Sequence, residues 1–381
     1  MAHTWLEISR SAFYKNIENI IRVVNNVEHT PHSLKLGLVL KADAYGHGLE
    51  PMAQLAQEHA DIEYLFVAST SDAIRLRALG ISKPICAMAY CDSDYHDVVK
   101  QAIDLVVYDQ ETVHGLHEAA ASLGMVARVH LKIDTGMHRL GIYPTAVSAF
   151  VASLNQWPSV KIVGCMTHLC DADNAAPDAL AFTQQQLERF DAVVAQLRLS
   201  VPTLEHVHAC ASGTTLFSGA YSLVRVATNA FGYFKPNVQR QRFGALDIPF
   251  QLDPILTWKA KIIHLKEVPV GGSVGYGRTV TVQRPTRVAV VPVGYFDGYP
   301  RSLSNTSMAL VRGHKVPGIG IISMNMCMFD VTDVPGISVH DEVILMGNVP
   351  GITADDLAKK AGTINIDILT SLHASITRII V

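Results

Sequence analysis

The chain reads as an α/β protein, an N-terminal (β/α)8 barrel followed by a C-terminal β-rich domain, and three observations predict this. From about residue 34 to about residue 232, short β-branched apolar runs alternate with longer helical patterns, the pattern of repeated βα units. The runs number eight, the strand count of a closed parallel barrel. After Phe234-Lys235-Pro236 the alternation stops, and Gly and Pro turns separate the strands that follow.

The candidate barrel strands are 34–41, 63–68, 85–90, 103–108, 126–134, 160–167, 204–209 and 222–228, with helices such as 51–59 and 181–199 between them. The polar stretch Gln239-Arg240-Gln241-Arg242 divides the chain into a barrel, 1–245, and a β-rich domain, 246–381, against which the extreme N-terminal strand is able to pack. In the second domain, 255–261, 287–292, 308–312 and 342–346 read as strands. One helix interrupts them: Thr353 is an N-cap, Asp355 and Asp356 are acidic first-turn residues, and Gly362 is the stop.

The 381 residues are 49% hydrophobic and 17% charged, a globular composition that suits one large and one smaller domain. A formal net charge of −3 without a long basic run gives no footprint for nucleic acid or an anionic membrane. The opening Met1–Arg10 lacks the layout of a signal peptide, and no apolar run reaches membrane-spanning length, so a cytoplasmic protein acting on small molecules is expected. The six cysteines have no disulfide-framework spacing. No metal site is expected either, because Cys165, His168 and Cys170 fall on a strand end and not on paired turns.

Lys41 follows the apolar run 36–40 at the mouth of the first barrel strand. In such barrels chemistry gathers at the strand C-terminal ends, and a partly desolvated lysine there is able to form a Schiff base with an aldehyde cofactor. A snorkelling surface lysine is the alternative, and position alone does not decide between them.

The run Val39-Leu40-Lys41-Ala42-Asp43-Ala44-Tyr45-Gly46-His47-Gly48 resembles the cofactor-lysine motif of the alanine racemases, pyridoxal-phosphate enzymes built from a barrel and a β-domain. The resemblance extends along the chain through His130-Leu131-Lys132-Ile133-Asp134-Thr135-Gly136-Met137-His138-Arg139, Val274-Gly275-Tyr276-Gly277-Arg278-Thr279 and Gly294-Tyr295-Phe296-Asp297-Gly298-Tyr299-Pro300-Arg301. It implies pyridoxal 5'-phosphate as cofactor and a homodimer with shared active sites, acting on a small amino acid. It also implies a place in D-alanine biosynthesis, which feeds peptidoglycan.

Carried over residue by residue, the resemblance implies that Lys41 holds the cofactor and is the base on one face of the substrate Cα. Tyr276, delivered by the neighbouring subunit, is the base on the other, as racemisation by two opposed bases requires. His168 matches the family's contact to that tyrosine, Arg225 the arginine against the pyridine nitrogen, and His208 the histidine beside it. Because guanidinium stays protonated, Arg225 keeps the ring nitrogen unprotonated and the cofactor a weak electron sink. Arg139 matches the arginine shared between cofactor and substrate carboxylate, and Lys132 a lysine carbamylated in many members to hold it. Tyr45 and Ser212 match phosphate contacts, while Met324, Tyr295, Arg301 and Asp173 match residues of the substrate entrance.

The chain departs from the family where Arg225-Val226-Ala227-Thr228 replaces an Arg-Pro-Gly-Ile run, and Thr228 offers a hydroxyl to the phosphate instead. Ile366 stands where a tyrosine usually closes the phosphate and lines the pocket, Asn325 where an aspartate is usual, and Ile321 where an arginine is usual. These changes leave a racemase of serine or a larger amino acid as the alternative to alanine. A decarboxylase of the same cofactor fold would carry a Cys-Glu-Ser-Gly-Asp-type motif and a glutamate at the ring nitrogen, and a non-catalytic cofactor carrier would lack the β-domain and Tyr276.

Overall fold

The computed structural model describes residues 3–25, 35–209, 211, 221–234 and 250–381. Eight parallel strands form the barrel: β2 (Lys35–Val39), β3 (Ile62–Ser69), β4 (Ile85–Tyr90), β5 (Ile103–Val107), β6 (Ala127–Lys132), β7 (Val160–Met166), β8 (His206–His208) and β9 (Leu223–Val226). They follow one another in space from β8 back to β2, with β9 beside β2. Between β8 and β9 the ring is bridged by Ser222, whose hydroxyl accepts from the Val207 N–H at 2.9 Å while its carbonyl accepts from the Lys35 N–H at 2.9 Å. All eight strands read from the sequence are present, and their continuous apolar runs reflect burial on both faces; every residue of β5 and β9 is buried.

The connecting helices begin and end where their side chains dictate. Ser69 caps the helix Thr70–Ala78 by accepting from the Asp72 N–H, and Asp109 does the same for Gln110–Leu123, which stops at the left-handed Gly124. The longest helix described, Pro177–Ser200, starts with proline in its first turn.

The remaining strands form the second domain. Its main sheet holds β10 (Leu256–Lys261), β15 (Met308–Val311), β16 (His314–Pro317), β18 (Glu342–Met346) and β19 (Thr377–Ile380), together with β1 (Thr4–Ile8) from the chain start. β1 lies between β10, antiparallel, and β19, parallel. A three-stranded sheet contains β11 (His264–Val268), β14 (Thr286–Val291) and β17 (Cys327–Asp330), and a small ribbon pairs β12 (Ser273–Val274) with β13 (Val280–Thr281). The boundary at 245/246 lies outside the described residues.

One expectation needs correction. The capped helix appears as Ala354–Ala361, with Thr353 and Asp356 bonded reciprocally and Gly362 left-handed at φ 75°. A second helix, Asn365–Thr370, follows it. At six residues it is too short to show helical periodicity. No described helix is long and apolar enough to cross a membrane.

Packing also buries histidines in their neutral form. His47 stacks on Phe231 with ring centroids 4.6 Å apart, and its Nδ1–H faces the Ala44 and Tyr45 carbonyls at 2.9 and 3.0 Å. Burial pulls it down to about 4, and burial is likewise the main cause that brings His206 down to about 4. The unfolded chain protonates each near the ordinary 6.5, so it takes up protons that the folded chain refuses. The stability from burying these rings neutral is present above that value and lost as pH falls towards 4. Urea unfolding between neutrality and mild acid is expected to show a loss of about 3 kcal/mol for each such histidine, and His47→Asn to flatten its share. An unchanged slope in that variant would rule out the buried neutral ring as its source.

Candidate active site

The polar side chains of the barrel gather at one end. Lys41 lies two residues beyond β2, Lys132 ends β6, His168 lies two residues beyond β7, His208 ends β8, and Arg225 in β9 is followed by Thr228.

Lys41 is not the last residue of an extended strand, as its apolar run suggested, but the first of a left-handed turn. Ala42, Asp43, Ala44 and Tyr45 all have φ between 52° and 54°, a conformation costing L-residues roughly 1–2 kcal/mol each. The surroundings impose it. The Asp43 carboxylate accepts from the Leu49 N–H at 2.8 Å, while the Gly46 and Gly48 N–H groups donate to the Ala42 and Asp43 carbonyls. From the second domain, Arg378 donates to the Gly46 carbonyl at 3.1 Å and pairs with Asp43 at 3.4 Å. Gly46 has φ 81°, and a Cβ there would fall 1.9 Å from the Leu369 carbonyl oxygen, so only glycine fits.

This turn forms one wall of a cavity of about 580 Å³, lined by Lys41, Tyr45, Lys132, Arg139, Met166, His168, Asp173, Arg225, Thr228, Asn365 and Ile366. Among its described lining residues, four cations meet one carboxylate, Asp173, an environment built for an anion. Burial first, and then Arg139, Arg225 and Lys41, bring the Lys132 ammonium down to about 8. Burial pushes the Tyr45 phenol up, so it stays a proton donor.

Arg225, 2% exposed, is held between two histidines. Nη1 donates to His208 Nδ1 at 2.7 Å and to the His208 carbonyl at 3.0 Å, while Nη2 donates to the Thr167 and Ala209 carbonyls and lies 3.5 Å from His168 Nδ1. The loop carrying Arg139 is tied back by Asp134, which accepts from the Gly136 and His138 N–H groups at 3.0 Å. Asn365 joins the domains at the rim, donating to the Phe234 carbonyl at 3.0 Å and to Asp355 at 2.7 Å.

The residues singled out from the sequence thus fall into two groups. Lys41, Tyr45, Lys132, Arg139, His168, Asp173, Arg225, Thr228 and Ile366 share the cavity. Tyr276, Tyr295 and Met324 do not line it; they are exposed on the second domain. The Phe296 N–H donates to the Met324 carbonyl, Tyr276 lies in a short turn beside Ile321, and Tyr276, Tyr295, Phe296, Met324 and Met326 are all exposed. Ser212 lies outside the described residues. Sequence reading missed Asn365 and Arg378, polar residues from the far end of the chain that carry no local signal.

A cation-lined cavity of this size, with a lysine at its wall and a hydroxyl donor beside it, fits an aldehyde cofactor bearing a phosphate. Barrel, β-domain and site together define a pyridoxal-phosphate-dependent amino-acid isomerase. Residues 8–234 match the N-terminal domain of alanine racemase and residues 255–380 its C-terminal domain. Alanine racemases from Halothermothrix orenii and Syntrophobacter fumaroxidans are each 36% identical to the chain, covering 98% of it and 96% of the relative. Among solved structures, alanine racemase of Clostridium difficile 630 superposes with a TM-score of 0.89 at 30% identity, covering all of this chain and 96% of that one. The alanine racemase of Bacillus anthracis with bound L-Ala-P gives 0.85 at 28% identity, covering 100% of this chain and 95% of that one. The chain belongs to the alanine racemase family.

The contacts around Lys41 make a direct forecast. Arg378→Met removes the clamp without touching the cavity, and is expected to cost about 3 kcal/mol of stability and to weaken retention of pyridoxal phosphate. Denaturant titration and spectrophotometric cofactor titration measure the two effects. A variant unchanged in both would mean that the turn holds its shape unaided.

Proposed function

We propose that this chain interconverts L- and D-alanine, with pyridoxal 5'-phosphate held by Lys41 and the second base supplied by a second copy of the chain. The observation that carries the reading is the split of the candidate residues, with Lys41 inside the cavity and Tyr276 exposed on a separate surface. One chain thus holds both halves of a two-base site and does not bring them together. A head-to-tail homodimer does, seating the surface around Tyr276, Tyr295 and Met324 over the partner's cavity.

The bound cofactor supplies the electron sink that lets the substrate Cα release its proton. Lys41 Nζ takes or returns that proton on one face, and the Tyr276 hydroxyl of the partner subunit does so on the other. His168, whose Nδ1 faces the Arg225 guanidinium, carries its proton on Nε2 and donates to the incoming phenolic oxygen. Arg225 would hold the ring of the bound cofactor as a donor that cannot give up its charge, which would limit charge build-up there. Tyr45, Ser212 and Thr228 hold the phosphate, and Arg139 holds the substrate carboxylate. At about 8, Lys132 keeps enough neutral amine near physiological pH to take up carbon dioxide as a carbamate, whose charge would fix Arg139. Ile366, with Met324 of the partner subunit, completes the apolar side of the substrate pocket. The reading keeps a barrel of 1–245, a second domain of 246–381, a cytoplasmic location, and D-alanine for peptidoglycan as the product's use.

Subunit exchange tests the shared site. Lys41→Ala and Tyr276→Phe proteins are each expected to be inactive. In their heterodimer one site carries both defects and the other none, so mixing should restore up to about half the specific activity per heterodimer. Heterodimers that form and remain inactive would refute the sharing.

A further inference from the structure

The inner face of a parallel barrel is ordinarily filled by branched apolar side chains, and Val39, Phe66, Cys86, Val106, Met166 and Leu223 fill part of this one. The rest is polar. Tyr64, Asp104, His130, His206 and His208 are each at most 5% exposed, and they form a chain running down from Arg225 to the opposite end.

One fact orders every proton in it: a guanidinium only donates. His208 Nδ1, 2.7 Å from Arg225 Nη1, must therefore accept. Burial, then Arg225 itself, keeps this imidazole neutral, so its one proton is on Nε2. That nitrogen lies 2.9 Å from His130 Nδ1, which accepts in turn. A cationic His130 is excluded, because its Nδ1–H would meet the Nε2–H of His208. His130 thus carries its proton on Nε2, facing Asp104 Oδ2 at 3.5 Å and the Tyr64 hydroxyl at 3.4 Å.

At the far end, Tyr64 donates to Asp104 Oδ2, and Arg128 Nε donates to Oδ1 at 3.0 Å. Burial alone would raise the Asp104 carboxyl; the contacts with His130, Tyr64 and Arg128 outweigh it and hold the group ionised. Space for the chain is specified as well, since a Cβ on Gly164 would fall 2.3 Å from His130 Nδ1. His206 stacks on His130, with centroids 5.7 Å apart and planes within 6°.

We infer that Asp104 and His130 are positioning residues for Arg225: the buried carboxylate fixes the tautomer of His130, which fixes that of His208, which holds the guanidinium towards the cofactor ring. The inference rests on the reading that Arg225 faces the ring nitrogen. A buried cation is costly without a counter-charge, and two polarised imidazoles connect this one to Asp104. Asp104→Asn keeps the volume but puts an amide donor within reach of His130 Nε2. The opposite tautomer is then favoured, and the Nδ1–H of His130 meets the Nε2–H of His208.

The test is the ¹⁵N-imidazole spectrum of histidine-labelled full-length protein, recorded with pyridoxal phosphate and after its removal. Both His208 and His130 are expected as neutral Nε2–H tautomers in either form. In Asp104→Asn both are expected to become mixed or reversed. In the loaded variant the visible absorption band of the cofactor should move, and kcat should fall roughly tenfold with little change in KM. Wild-type His208 protonated on Nδ1 overturns the chain, as does a folded Asp104→Asn protein with both tautomers unchanged. If Asp104→Asn does not fold, the wild-type tautomers decide alone. Altered tautomers with an unmoved absorption band would overturn the placement of Arg225 at the ring and not the chain.

Discussion

Four successive non-glycine residues in the left-handed region, Ala42 to Tyr45, are not held there by local preference. Each is disfavoured by the contact between its own Cβ and the following carbonyl, and the summed cost of several kcal/mol persists only because surrounding structure over-determines the turn. The Asp43 carboxylate bonds within it, the Leu369 carbonyl presses on Gly46, and Arg378 grips it from the last strand. Lys41 therefore emerges from the barrel at an angle set by the second domain. The two domains are coupled through the turn that Lys41 opens, and β1 reinforces the coupling by lying between β10 and β19.

The second constraint is charge. Lys41, Lys132, Arg139 and Arg225 line one cavity, and their repulsion is visible in the Lys132 ammonium, drawn down to about 8 by burial and then by these neighbours. A phosphate and a substrate carboxylate relieve that repulsion on binding, so the apoprotein is strained where the holoprotein is not. Arg225 is the exception. Both of its Nη atoms are held within the barrel by carbonyls and by the neutral His208 imidazole, as suits a group whose charge must stay in place.

Much of this was legible in the sequence because burial on both faces writes itself as continuous apolar runs. All eight barrel strands could be counted, and the helix after Thr353 was marked by its cap and its glycine. Lys41, Lys132, His168 and Arg225 stood out because strand C-terminal ends are where a barrel exposes polar groups, and the long motifs around them narrowed their roles. The left-handed turn was not legible: Ala42, Asp43, Ala44 and Tyr45 include no glycine, and two of the residues that hold them, Leu369 and Arg378, lie more than three hundred positions away. Nor were the positions of Tyr276 and Tyr295 outside the cavity, since no local pattern records where the second domain places them. Tyr64, Asp104, His130 and His206 within the barrel were hidden for another reason. Single polar residues in apolar strands read as exceptions until the closed ring puts them beside one another.

The central claim is that the left-handed turn presents Lys41, and no other lysine, to the cofactor. Borohydride treatment of the pyridoxal-phosphate-loaded protein fixes the pyridoxyl group to whichever amine holds it, and peptide mapping then identifies that amine. The expected result is a single labelled peptide containing Lys41. A label on Lys132, the other lysine lining the cavity, or one spread over surface lysines, would contradict the account.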